Sequence, residues 1–244
     1  MKLIAKALVL LSFDWFTPSA GAAGVAWPKW VCGSTSPPVA IPTLLLLCSA
    51  LFQPAQAQQG SYTRINLPQR LSIEIPSDWK VLSQANRSNI AAAGSAMMES
   101  AGQKGSTGKK ETLLAVQSPD PSGATVRLSV TTPPEYSQAD LASATASDLK
   151  EMEDALLEQY RKLERSGGPK VIQMQAARLE TIGGHRALVI SYRRSSPAGP
   201  SPWQVVQYSI PLSDRLVQLT LSHRESDAAV SRPVLEKVKR SMQF

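Results

Sequence analysis

The chain has 244 residues, with 26 basic against 19 acidic side chains (net charge +7), 43% hydrophobic residues, two histidines and two cysteines. An aromatic content of 6% argues against a nucleic-acid surface, which would interleave stacking rings with its basic charge. Two histidines leave little material for general-base or metal chemistry, and the usual zinc-ligand spacings are absent.

Cys32 and Cys48 both precede residue 58. Met1 to Ser12 carries two lysines and a short apolar run; Val39 to Phe52 (VAIPTLLLLCSALF) is a fuller hydrophobic core, followed by Pro54-Ala55-Gln56-Ala57, an A-x-A cleavage site. The expected organisation is a targeting segment over 1–57, cleaved after Ala57, and one globular domain over 58–244. A run of about 14 residues is short of the ~20 a spanning helix needs, and Pro42 interrupts it. A leader this long exceeds the usual ~15–30 residues, and translation starting near Val25 or Val31 would account for it. Three of the 26 basic and one of the 19 acidic residues lie in 1–57, so the remaining 187 residues carry 23 against 18, a net +5, and no cysteine. A domain of that size buries roughly 70% of its chain surface and must hold through its core alone.

Tyr62 to Leu67 and Leu71 to Ile75 read as strands around Pro68-Gln69-Arg70. A third short extended run follows Pro76-Ser77-Asp78-Trp79, with Trp79 as a core or edge anchor. Gln84 to Lys110 breaks the pattern: NIAAAGSAMMES is a candidate short helix and GQKGSTGKK a flexible basic loop. It is not a P-loop, because Gly102 and Gly108 enclose five residues and Lys110 stands where the hydroxyl belongs. A connection of about 25 residues is longer than the ~12–15 that loops without function or disorder usually reach. Met97 and Met98 offer an adaptable apolar surface there, and Lys104, Lys109 and Lys110 would attract an acidic partner or an anionic membrane.

Glu111 to Gln117 and Ala124 to Thr132 form a hairpin through the turn SPDPSG. Ser137 to Arg165 is the strongest helix: Leu141, Ala144, Leu149, Met152, Leu156, Tyr160 and Leu163 make one stripe, Glu153 and the other charged residues face outwards, and Ser166-Gly167-Gly168-Pro169 stops it. Lys170 to Thr181 is extended and leads into the Gly183-Gly184 turn. The last quarter holds three strand patterns, HRALVISYRR, WQVVQYSIP and DRLVQLTLSH, joined by hairpins, then a helix with Val230, Val234, Leu235 and Val238 on one stripe and a start near Ser231. His185 and His223 read as exposed strand ends. Arg186, Arg193 and Arg194, with Arg215 and Arg224, make either a charged sheet edge or an anion-binding face for lipid headgroups or an acidic partner.

The segments IEIPSDWKV and GGHRALVISY and the terminal S-M-Q-F, in this order of strands and helices, resemble the PsbP-like group, over most of residues 62 to 244. That group includes the lumenal extrinsic subunit of photosystem II and many small exported bacterial proteins. The motif positions are Pro76, Trp79, Gly184, Ala187, Tyr192, Ser241 and Phe244, all structural. No residue carries over as a manganese, calcium or chloride ligand. The resemblance implies an α+β fold, an antiparallel sheet sandwiched between helices (an α/β/α sandwich). With no cofactor and no catalytic signature, the expected role is a non-catalytic exported protein of the periplasm, thylakoid lumen or extracellular space. It would bind or help assemble another envelope or membrane-associated protein, as a monomer and without nucleic acid, and membrane-surface contact is compatible with it. The alternatives are a carrier of an apolar ligand between helix and sheet, or a hydrolase.

Overall fold

A computed structural model describes residues 60–102, 108–119, 123–196 and 199–244. The expected targeting segment over 1–57, both cysteines and Lys104 lie outside the described residues.

Strands β1 (Tyr62–Asn66) and β2 (Ser72–Pro76) form the expected hairpin, a two-stranded sheet of its own. The third run, β3 (Lys80–Val81), does not extend a meander; it joins the edge of the main sheet against β4. The main sheet is antiparallel, with the order β3-β4-β5-β10-β9-β8-β6, where β4 is Lys109–Gln117, β5 Ala124–Thr132, β6 Val171–Met174, β8 His185–Arg194, β9 Trp203–Pro211 and β10 Leu216–Arg224. Strand β7 (Arg178–Ile182) also pairs with β8. The three C-terminal strands pair in sequence order, and β10 closes onto β5.

Alternation sends successive side chains to opposite faces, and each face meets different partners. On one, Val126 and Leu128 of β5, Tyr208 and Ile210 of β9 and Val217 and Leu219 of β10 pack with Ile73 and Ile75 of β2 and with Leu235 and Val238 of helix α4 (Ala228–Arg240). On the other, Leu188, Ile190 and Tyr192 of β8 meet Met152, Leu156, Tyr160 and Leu163 of helix α3 (Ala146–Arg165). The sheet therefore lies between helices, the α+β arrangement the sequence predicts. The second face turns polar towards β5 and β10: Thr125, Arg127, Ser129, Gln218, Thr220 and Ser222 are all buried, and Thr125 and Ser222 hydroxyls stand 2.6 Å apart.

Four expectations need correction. Gln84 to Lys110 is not mostly loop, because helix α1 spans Gln84–Ser100, started by the Ser83 hydroxyl accepting the Asn86 N–H at 3.3 Å. Ser137 to Arg165 is two helices, α2 (Gln138–Ala142) and α3; the pairs Ser137/Asp140 and Thr145/Asp148 each close a capping box, so the sequence starts a helix twice. The N–H and hydroxyl of Thr145 hold the Asp148 carboxyl below its ordinary pKa. Glu153 faces inwards rather than out: its side chain is 16% exposed and accepts the Ala177 N–H at 3.4 Å. Helix α4 begins at Ala228 rather than near Ser231, with Pro233 as its sixth residue, which removes the N–H that would serve the Ala229 carbonyl. Its buried stripe is Ser231, Leu235 and Val238, while Val230 is 69% exposed.

A cationic cleft as candidate functional site

Two cross-strand rows build the floor of a cleft beneath α4. Register aligns Ser191 of β8 with Val206 of β9 and Val206 with Leu221 of β10; in the next row Arg193 faces Gln204, and Gln204 faces His223. All six share the face that α4 covers. Arg232, Leu235 and Glu236 of α4 form the roof, Arg178 of β7 and Gln175 the side, and the space enclosed is about 290 Å³. Gln175 is placed by its N–H, which donates to the Ser191 carbonyl at 2.9 Å.

Cations outnumber acids in this wall. Arg178 donates to the Ser191 hydroxyl at 3.3 Å and reaches Glu180 only at 3.7 Å. Lys239 lies 2.7 Å from Glu180 and 2.8 Å from Glu236, compensating both carboxylates. Burial pulls the Lys239 pKa down, but the bonds to those carboxylates outweigh it and hold the ammonium above its ordinary value. Burial raises the Tyr208 phenol, which lines the same cleft and stays protonated. Arg193, at the end of the second row, pairs with Glu225 at 2.6 Å.

His223 is 4% exposed, so it is not the exposed strand end expected. Its Nδ1–H donates to the Arg224 carbonyl at 2.8 Å, which leaves Nε2 as the acceptor of the neutral ring. Burial lowers its pKa first, and the Arg232 charge adds to that.

The residues expected to bind a partner do not form one surface. Met98 is buried beside Tyr136 and Leu141 and Met97 is half-buried against them, so the methionines pack α1 onto the sheet instead of offering an adaptable surface. Lys109 is exposed, whereas Lys110 Nζ contacts Gln218 Oε1 at 2.5 Å. Arg186 is exposed at the far end of β8. Arg193 and Arg194 point to opposite faces. Arg194 is buried at 5.6 Å over the Trp203 ring, and Arg224 stands 5.9 Å from the same ring, so these arginines clamp a tryptophan rather than line a free edge. Only Arg193 borders the cleft. Arg178, Gln204, His223 and Arg232 were not singled out by the sequence as site residues, yet His223 shares its strand parity with Val217, Leu219 and Leu221, a signal that it turns inwards.

No family model and no curated protein matches the chain. Among solved structures it is similar to the solution structure of cyanobacterial PsbP (CyanoP) from Synechocystis sp. PCC 6803, at 13% identity over 80% of this chain and 98% of that one, with a TM-score of 0.47. It is also similar to LpqN, involved in cell envelope biogenesis of Mycobacterium tuberculosis, at 12% identity over 77% of this chain and 86% of that one, with a TM-score of 0.40.

Proposed function

We propose that this chain is an exported, non-catalytic binding protein that engages an anionic region of an envelope protein through the α4–sheet cleft and the adjoining Arg193. The observation that carries the reading is the convergence of Arg178 from the side and Arg232 from the roof onto a floor bearing Gln204 and His223. These groups recognise charge and hydrogen-bond acceptors. They are not arranged as a nucleophile and its base: the Ser191 hydroxyl accepts from Arg178, and His223 Nδ1 is committed to a backbone carbonyl. Export is supported by the apolar run Val39 to Phe52 and the A-x-A site at Ala55 and Ala57. The cleft occupies the place between helix and sheet that a carrier would use, but its arginines and amides suit a polar ligand rather than an apolar one.

The test is recovery of native envelope proteins by the mature wild-type chain and by an Arg178→Ala, Arg232→Ala double variant with unchanged melting temperature. Loss of a partner in the double variant, together with weaker wild-type recovery at high salt, supports the reading. Equal recovery by both chains contradicts it.

A further inference from the structure

We propose that the cleft beneath α4 binds one phosphate-type oxyanion, taken up free or as the headgroup of a lipid. This goes beyond the protein-binding reading: it names a small ligand for the same cleft, one that would compete there with an acidic partner.

Size comes first. The volume of about 290 Å³, roughly ten waters at ~30 Å³ each, is ample for a headgroup-sized ligand. Charge comes next. Arg232 makes no ion pair among the described residues, and Arg178 spends only one bond on Ser191 and one long contact on Glu180. The one acid in the lining, Glu236, is held by Lys239 at 2.8 Å. An anion entering the cleft therefore meets two guanidinium groups with donors to spare and a compensated carboxylate.

Hydrogen-bond arithmetic then separates phosphate from carboxylate. The two guanidinium groups, supplemented by the Gln175 and Gln204 amides and the Tyr208 hydroxyl, exceed what two carboxylate oxygens accept, while a phosphate presents three or four. His223 adds a requirement in the other direction. With Nδ1–H given to the Arg224 carbonyl, Nε2 can only accept, so a matching ligand must also donate. Inorganic phosphate keeps at least one P–OH throughout the neutral range, and a phosphate monoester keeps one below its second ionisation near about pH 6; an ionised carboxylate carries none. In the complex a P–OH of the ligand donates to Nε2. The charged groups around His223 are Arg232 and Glu236 on α4, Arg178 on β7, and Arg224, Glu225 and Asp227 where β10 ends.

The experiment is calorimetric titration of inorganic phosphate into the mature chain near neutral pH. Wild type, Arg178→Ala, Arg232→Ala, His223→Gln and, as a distant control, Lys109→Ala are compared at matched melting temperature. The inference expects saturable binding. Each arginine variant should lose about tenfold or more, as for one charged hydrogen bond. His223→Gln, whose amide oxygen can still accept, should stay within a few-fold of wild type, and Lys109→Ala should bind as wild type does. Co-sedimentation with phosphatidylcholine vesicles containing phosphatidic acid separates the sources: sedimentation competed by free phosphate supports a headgroup ligand, and phosphate binding without sedimentation supports a soluble one. No saturation, equal affinity in the arginine variants, or acetate bound as tightly as phosphate overturns the inference. If phosphate binding fails while partner recovery still depends on Arg178 and Arg232, the inference falls and the protein-binding reading stands.

Discussion

Phe244, the last residue, stands edge-on to His185, with ring centroids 5.1 Å apart and an interplanar angle of 72°. The chain end is held there by Gln243, which exchanges two backbone bonds with Ser72 of β2 at 3.1 and 2.9 Å, and by the Ser241 hydroxyl, which accepts the Glu74 N–H at 2.8 Å. Gly183 completes the lock: it has φ +54°, and a Cβ there would stand 2.8 Å from the Phe244 ring. Phe244→Ala should cost about 1–3 kcal/mol, less than a fully buried phenylalanine because the ring is half-exposed. Gly183→Ala should cost at least ~1 kcal/mol through the left-handed backbone and the clash together. Urea denaturation of the two variants checks both values.

Leu156 is 3% exposed between α3 and the sheet, whereas Glu151 lies on the solvent side of the same helix. Leu156→Ala should lower stability by ~2–5 kcal/mol and Glu151→Ala by under ~0.5 kcal/mol. Similar denaturation midpoints for the two would mean that α3 packs through another face.

The depressed pKa of His223 ties stability to pH. Its folded value lies below the ordinary 6.5, so as pH falls through that value the unfolded chain takes up the proton first and stability drops. Above it, both states are neutral and the contribution is fully present. Melting temperatures measured down from neutral pH should decline more steeply for wild type than for His223→Gln, and identical profiles would place the ring in a solvated site.

Much of this fold is legible in the residues. The two-residue period of β8 and β10 and the Leu156–Tyr160–Leu163 stripe state their own geometry, because each buries a regular set of apolar side chains. The division at Ser143 is legible too, once Asp140 and Asp148 are read with Ser137 and Thr145 as two capping boxes. Gln218, Thr220 and Ser222 carry no apolar signal of their own, yet they are buried in a polar layer in which Gln218 meets Lys110 and Ser222 meets Thr125. The cleft is the least legible part. Arg178 and Arg232 lie far apart in sequence, and only the β8-β9-β10 register together with the docking of α4 brings them over one floor.

The central claim is that partners meet the protein at this cleft, and site-specific photocrosslinking in the native envelope tests it most directly. A photoreactive residue is placed at Arg232 on the cleft roof, at Lys109 on β4 or at Arg186 at the far end of β8, all three exposed. The account predicts a crosslinked partner from position 232, diminished when Arg178→Ala is added, and none from 109 or 186. Adducts from 109 or 186 with none from 232 would contradict it and move the binding surface to the basic strand ends.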